Sequence, residues 1–347
     1  MKNLRQSQQA AGAILDAESN MVLSFNNETE ALNAVEDGVV LCDRASWGLL
    51  KFTGEDRLRY LHNQSTNDFE RLQSGQGCDT VFVTSTARTL DLATAYVTDD
   101  AVLVIVSPNR RQQLFQWLDK FIFPFDKVKL KDISTEYIVF SLIGSQSDAL
   151  LSQLAPEAEI GEEYGDHSLV NIDNVSLRIA RGSGLASPGY TLIIPTDSGA
   201  AFWSKLTTMG AIPTGDRFWS NLSIQQGRPT PDRELTEDYN PLEAGLWHTI
   251  SFEKGCYIGQ ETIARLNTYK GVKQRLWGVK LSQKVTPPTP VILDNKKVGV
   301  LTSYTDTPNG SFGLAYVRTI AGGVGLSVKV GDATGQLVSV PFVRHQE

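Results

Sequence analysis

The residue types best suited to chemistry stand close together in residues 254–265. Gly255 and Gly259 bracket Cys256, and helix-forming residues follow the second glycine, so the thiol is expected in a tight turn just before a helix. The amino end of a helix and the nearby Lys254 both favour a thiolate over a thiol. These two features favour a reactive, catalytic-type Cys256.

The same stretch also has a purely structural interpretation. Glu261 acts against Lys254 on the thiol, so the size of any pKa change stays open. A small cysteine that fills a turn would show the same spacing, because unreactive cysteines behave as small hydrophobic residues. Spacing alone does not separate the two interpretations.

The other thiols and imidazoles do not predict a resident metal. The cysteines are scattered singly, without CxxC spacing or the even number of a disulfide framework, which fits a reducing compartment. A cluster held within one chain normally needs four thiolates at defined spacings. We therefore expect no zinc site and no permanently bound metal among Cys42, Cys78, Cys256, His62, His167, His248 and His345.

Charge and hydropathy limit the partners. The 347 residues carry 32 Lys and Arg against 39 Asp and Glu, a net charge of -7, which argues against direct nucleic-acid binding. The basic residues within 270–280 are interpreted as a solvated strand face, with an RNA or polyglutamate contact as the alternative. Apolar runs reach only about six residues, so we expect no membrane span and a cytoplasmic location, with a shortened organellar precursor as the alternative.

The elements that must position Cys256 alternate between strands and helices, which predicts an α+β fold. Residues 1–33 are expected to form an N-terminal helical extension that packs as one helix. Strands are expected at 80–84, 90–98, 101–106, 136–143, 176–180 and 190–194. Helices are expected at 66–72, 109–121, 148–154, 202–209 and 217–225. Beyond a boundary near Lys270, alternating apolar residues and turn signals predict a small β-barrel or sandwich over 271–347.

Residues 254–261 read Lys-Gly-Cys-Tyr-Ile-Gly-Gln-Glu and are followed by an Ala-Arg pair. This run resembles the signature of the YgfZ proteins, a branch of the aminomethyltransferase (GcvT-like) family. The resemblance implies a folate-binding protein that assists iron–sulfur enzymes and, in bacteria, tRNA modification. The signature positions are Lys254, Gly255, Cys256, Tyr257, Gly259, Gln260, Glu261 and Arg265.

Two further segments resemble aminomethyltransferases, residues 54–75 and residues 222–246. The resemblance implies a GcvT-like multidomain arrangement around a central folate cavity. It places a folate-binding region at 34–270, made of two α+β subdomains with the second at roughly 130–212, before the C-terminal barrel. Tetrahydrofolate or a derivative is the implied cofactor, and iron–sulfur client or assembly proteins are the implied partners.

The chain departs from the aminomethyltransferase pattern at positions that bear on the chemistry. Those enzymes usually carry Asp where this chain has Cys256, Glu where it has Gln225, and Tyr-Gly where it has Pro231-Asp232. An amide can still pair with the pterin edge, but it lacks the carboxylate charge, so folate binding is expected to survive more readily than catalysis.

Asp91 falls where aminomethyltransferases hold the carboxylate that orients the folate nitrogen. The resemblance therefore implies that Asp91 and Gln225 are folate-binding residues. The equally weighted alternative for Asp91 is a strand-end carboxylate that bonds a local amide.

Three functional hypotheses follow, the last of which is a direct RNA-binding module built on the basic residues within 270–280. The leading one is a tetrahydrofolate-binding accessory protein, not a classical enzyme, that supports iron–sulfur cluster assembly or repair through Cys256. The alternative is a folate-dependent aminomethyltransferase in which Asp91 orients the acceptor nitrogen.

Overall fold

Two compact units make up the part of the chain that the computed structural model describes, residues 1–345. The first unit comprises Met1–Arg57, Leu72–Cys78 and Thr94–Ser220. The second comprises Leu58–Arg71, Asp79–Ala93 and the chain from Asn221 onward. Every candidate site residue predicted from the sequence therefore lies in the second unit.

Short helices are interspersed among the strands as far as residue 268, and the later strands follow without another α-helix up to residue 345. The α-helices are α1 (Lys2–Ala10), α2 (Glu28–Asp37), α3 (Arg57–Gln64), α4 (Arg111–Lys120), α5 (Ser147–Leu154), α6 (Gly199–Thr208), α7 (Asp216–Gln226) and α8 (Gln260–Thr268). Across residues 1–345, none of the helices is long and apolar enough to cross a membrane.

The strands that precede α7 in the chain are β1 (Ile14–Leu15), β2 (Val22–Ser24), β3 (Val40–Asp43), β4 (Gly48–Thr53), β5 (Gly77–Val83), β6 (Thr89–Val97), β7 (Ala101–Val106), β8 (Lys129–Asp132), β9 (Tyr137–Ile143), β10 (His167–Ile172), β11 (Val175–Arg181), β12 (Gly189–Pro195) and β13 (Ile212–Thr214). The later strands are β14 (Gln274–Leu281), β15 (Thr289–Leu293), β16 (Lys296–Thr307), β17 (Gly310–Arg318), β18 (Ser327–Val330) and β19 (Ala333–Val338).

A six-stranded sheet with the order β10-β11-β12-β9-β3-β13 dominates the first unit. Only the short β13 runs parallel to its neighbour, β3, while the other pairs are antiparallel. The central strands β9 and β12 are buried on both faces, which explains their nearly continuous apolar sequences. Helices α1, α5 and α6 supply Leu4, Leu150 and Phe202 to the core of this sheet.

A second sheet has the order β5-β6-β7-β4-β8. Strands β6 and β7 form the predicted hairpin, in which the backbone N–H of Thr98 donates to the carbonyl of Ala101 at 2.8 Å across the Asp99-Asp100 turn. The strands expected at 80–84, 90–98 and 101–106 are confirmed, as is the helix expected at 109–121, which is α4.

Strands β14 to β19 close into a barrel with the order β14-β17-β16-β15-β18-β19. Closure follows because β14 pairs with β17 on one side and with β19 on the other. Val279, Leu301 and Leu337 are fully buried inside. The predicted C-terminal β-barrel is confirmed, and it leaves no unpaired sheet edge.

The extension expected at the amino terminus is not one helix. Helix α1 ends at Ala10, and Gly12 has a φ of 95°, a conformation that leaves the helical path. A small hairpin of β1 and β2 follows, and α2 starts at Glu28. The apolar spacing through Leu15 therefore belongs to a helix and a strand, so that prediction is wrong.

The short helix predicted at 66–72 is also wrong. Thr66 does not cap a helix, because its hydroxyl accepts from the backbone N–H of Val81 at 2.9 Å and donates to the carbonyl of Thr249 at 2.8 Å. These bonds hold residues 65–72 as an irregular segment between β5 and the chain before Cys256.

Candidate functional site around Cys256

The Cys256 loop, residues 254–259, leads directly into α8. Cys256 is exposed, whereas Tyr257 next to it is buried in an apolar cluster with Ala87 and Ile263. Burial raises the pKa of Tyr257 to about 12, so its hydroxyl stays protonated at neutral pH. The loop thus presents one thiol to solvent while its neighbour is anchored in the core.

Lys254 fixes the start of the Cys256 loop. Its ammonium donates to the main-chain carbonyls of Asn67 at 2.6 Å, of Ser65 at 2.9 Å and of His62, and Lys254 is only 6% exposed. An ammonium has three N–H donors, and these three bonds use them all. Lys254 therefore acts as an anchor, a role that its proximity to Cys256 in the sequence did not reveal.

Gly259 fixes the other end of the loop. Its φ is 82°, and a Cβ at this position would lie 2.9 Å from the carbonyl oxygen of Thr84 and 3.0 Å from Val83. Backbone strain and steric contact both require glycine here. In α8, Gln260 is half-buried, while Glu261 and Arg265 are exposed.

Replacing Gly259 by Ala is expected to lower the free energy of unfolding by about 2 kcal/mol, because the left-handed conformation and the contact with Thr84 both penalise a Cβ. Gly325→Ala is the matched control: Gly325 has a φ of 86° but nothing within 4 Å of its Cβ position, so only the backbone penalty of about 1 kcal/mol applies. Denaturant unfolding compares the two. Equal losses would show that Thr84 does not restrain the loop.

His62 and Asp68 form a pair that sequence reasoning missed. The Nδ1 atom of His62 lies 3.1 Å from a carboxylate oxygen of Asp68, and the other oxygen of Asp68 lies 3.2 Å from Arg71. The Nε2 atom of the same ring lies 3.6 Å from the Cβ position of Gly255, so the ring abuts the Cys256 loop.

Burial, and then the charge of Lys254, lower the pKa of His62, so the imidazole is neutral at pH 7. If Nδ1 carries the proton and donates to Asp68, Nε2 keeps its lone pair on the side of the loop. The lone pair of Nε2 can then accept a hydrogen bond on this side of the ring. The local sequence gave no signal, because His62 and Lys254 are 192 positions apart.

Asp91 and Gln225 each adjoin a residue of the same apolar cluster. Their neighbours Leu92 and Ile224 pack in one apolar cluster, which joins β6 to α7. Asp91 is fully buried within β6. The amide Nε2 of Gln225 is buried and has no hydrogen-bond partner within residues 1–345. A buried donor without an acceptor is costly, and the nitrogen and oxygen acceptors of a pterin edge would satisfy it.

The segment at 240–246 has a structural role. The side-chain oxygen of Asn240 accepts from the backbone N–H groups of Leu242 and Glu243, both at 3.0 Å, and the Glu243 carboxylate accepts from the N–H of Asn240 at 3.1 Å. This reciprocal pattern is a capping box. Gly245 has a φ of 72°, and a Cβ there would lie 2.1 Å from Val343.

This chain has Pro231-Asp232 where aminomethyltransferases usually have Tyr-Gly. Asp232 nevertheless adopts a backbone conformation that is typical of glycine. Asp232 has a φ of 67°, in the left-handed region. Asp is among the few residues other than glycine that enter this region readily. Asp232 therefore adopts a backbone conformation that glycine also favours.

The three cysteines differ in exposure. Cys42 is fully buried in β3, and burial raises the pKa of its thiol to about 12. Cys78 is half-buried in β5. Cys256 is the exposed member of the set, and reactivity requires an accessible thiol. No group of three or more His, Cys, Asp and Glu side chains suited to a metal occurs within residues 1–345.

The fold defines the class of the protein. The crystal structure of glycine cleavage system aminomethyltransferase T from Bartonella henselae matches this chain with a TM-score of 0.86 over 99% of both chains, at 19% sequence identity. The two proteins share their fold.

Sequence comparisons then give the family. The model of the GCVT N-terminal domain matches residues 7–254. A chloroplastic protein of Arabidopsis thaliana, provisionally named a transferase, is 45% identical over 95% of this chain and 77% of its own length. An aminomethyltransferase of Halalkalibacterium halodurans is 26% identical over 93% of this chain and 91% of its own. The chain belongs to the GCVT N-terminal domain family, whose match ends two residues before Cys256.

Proposed function

We propose that this protein is a tetrahydrofolate-binding accessory protein of the YgfZ type, which supports iron–sulfur cluster assembly or repair in client enzymes, including tRNA-modifying ones. The observation that carries the proposal is the exposed thiol of Cys256 on a loop fixed at both ends, by Lys254 and by Gly259. Aminomethyltransferases usually have Asp at this position, so the resemblance implies different chemistry here.

Two properties of the loop support a working thiol. An accessible sulfur can meet a partner protein, whereas Cys42 is enclosed in its strand. The neutral ring of His62 lies beside Gly255, the residue before Cys256, and its Nε2 offers a hydrogen-bond acceptor on the side of the loop. Cys256 then donates a ligand to a cluster shared with a client, or is oxidised and later restored; both uses require the same thiolate.

Folate would be held in the second unit by Gln225 and Asp91. The unpartnered amide of Gln225 offers a donor to the pterin edge. Asp91, buried beside the same cluster, would accept a hydrogen bond from the ligand. When bound, tetrahydrofolate supplies a carrier for one-carbon units.

We also propose that the protein is located in the cytoplasm.

The second candidate function is aminomethyl transfer, which the names and the similarity of several relatives favour. The two functions are separated by incubating the purified protein with tetrahydrofolate and an aminomethylated glycine-cleavage carrier protein. The proposal predicts no methylenetetrahydrofolate above the level without protein, because Cys256 and Gln225 replace two acidic groups of the enzymes. Steady production would favour the transferase.

A further inference from the structure

A cleft of about 670 Å³ opens in the first unit, whereas the residues assigned to folate belong to the second. Strands of both sheets line it: β4, β7 and β8 of the five-stranded sheet, and β10, β11 and β12 of the six-stranded sheet. A volume of this size is typical of sites for small organic molecules.

One wall of the cleft is basic. Lys51 on β4 lies directly opposite Lys131 on β8, and the next pair on the same face of the sheet is Thr53 with Lys129. Like charges placed directly across two strands destabilise a sheet. Lys51 has Asp100 at 3.7 Å and Lys131 has Glu136 at 2.6 Å. The cleft as a whole is lined by four cations and two carboxylates, although the chain is acidic overall.

The fourth cation, Arg178 on the opposite wall, is half-buried, and the carboxylates of Asp99 and Asp100 act on it electrostatically. Its neighbours in register on β10 and β12 are the apolar Leu169 and Ile193. Its guanidinium donates to Nδ1 of His167 at 2.7 Å, and no carboxylate forms an ion pair with it within residues 1–345. Burial, and then the charge of Arg178, lower the pKa of His167 to about 4, so the imidazole is neutral at pH 7.

A guanidinium in this position is costly because buried charges are normally paired. Apolar side chains also line the cleft: Leu103 faces it from β7, and Leu169 is 63% exposed although it is a large hydrophobic residue. We propose that this cleft is a second ligand site, which binds an organic anion with its carboxylate, sulfonate or phosphate on Arg178 and its apolar body against Leu103, Leu169 and Ile193.

Three probe molecules distinguish the contribution of the negative charge from that of the apolar ring. 2-Naphthoate carries both the apolar ring and the charge, 2-naphthylmethanol carries the ring alone, and acetate carries the charge alone. Calorimetry on the full chain should show saturable binding of 2-naphthoate, at least about tenfold tighter than either of the others. Equal affinity for 2-naphthylmethanol, equal affinity for acetate, or no binding of 2-naphthoate would each overturn the proposal.

Variants then test the position of the site. Arg178→Gln should weaken 2-naphthoate binding at least about tenfold and Arg178→Lys less, while Leu169→Ser should weaken it a few-fold. Lys205→Gln is the control, since Lys205 pairs with Asp173 elsewhere in the unit, and its affinity should equal that of the wild type. Thermal unfolding of each variant shows whether it is folded. Because Leu169→Ser alters an exposed side chain, this variant tests the site even if Arg178→Gln is unstable.

Tetrahydrofolate provides the last comparison. Because the cleft and the residues assigned to folate belong to different units, excess tetrahydrofolate should leave 2-naphthoate binding unchanged. Displacement by tetrahydrofolate, or binding unaffected by both Arg178→Gln and Leu169→Ser, would place 2-naphthoate outside this cleft and refute the proposal. Neither result depends on the proposed role of Cys256.

Discussion

Cys256→Ser is expected to abolish the restoration of iron–sulfur enzyme activity in a strain that lacks this protein, while its stability changes by less than about 0.5 kcal/mol. Serine keeps the shape of the side chain but neither binds iron as a thiolate does nor undergoes reversible oxidation. The exposed position of Cys256 means that no packing is lost. The measurement is the activity of an iron–sulfur enzyme in extracts, normalised to the amount of the variant protein.

Cys78→Ser is the matched control, because Cys78 is also a thiol of the chain but is half-buried in a strand. It should restore enzyme activity to the wild-type level. Full restoration by Cys256→Ser, or an equal loss in both variants, would contradict the role assigned to Cys256.

Lys254→Met is expected to lower the free energy of unfolding by about 3 kcal/mol. This is the largest change in stability that we expect from a single substitution. Methionine has a similar length, but it leaves the carbonyls of His62, Ser65 and Asn67 without the donor that they share. Hydrogen bonds to a charged group contribute more than neutral ones, and buried acceptors without donors add a penalty. Denaturant unfolding measures the change.

The control for Lys254 is Lys284→Met, at an exposed lysine of the second unit. Its stability should stay within about 0.5 kcal/mol of the wild type. Amide hydrogen exchange should also increase at residues 255–259 in Lys254→Met, because the loop loses its anchor there. If both lysine variants unfold at the same denaturant concentration, the ammonium does not hold the loop.

Local patterns were sufficient for much of the fold. The alternation of apolar residues in β14 and the turn signals of the last strands predicted the barrel, since a barrel strand buries every second side chain. The Asp99-Asp100 turn between two apolar runs predicted the β6–β7 hairpin. These features depend on residues that are neighbours in sequence.

Long-range contacts explain why some predictions from the sequence were wrong and why other features were missed. Thr66 is a good helix cap in isolation, but its hydroxyl is bonded to residue 249, 183 positions away. Leu4 and Leu15 are at helical spacing, yet Gly12 ends the helix between them. The pairing of His62 with Asp68 beside Gly255, and the position of Arg178 between Leu169 and Ile193, arise only when distant segments or whole strands come together.

The signature around Cys256 predicted which residue to study but not how the loop is built. Glycines at 255 and 259 were visible in the sequence, and Gly259 does adopt the left-handed conformation. The anchoring by Lys254 could not be predicted, because its acceptors are main-chain carbonyls, which no side-chain pattern reveals.

The most direct test of the central claim is calorimetric titration of the purified protein with tetrahydrofolate, beside Gln225→Ala and Asp91→Ala. We predict saturable binding by the wild type and a loss of about tenfold or more in affinity for each variant, because each removes a buried polar partner of the ligand. A wild-type protein that does not bind tetrahydrofolate, or variants that bind it as tightly as the wild type, would contradict the assignment of Gln225 and Asp91 to folate.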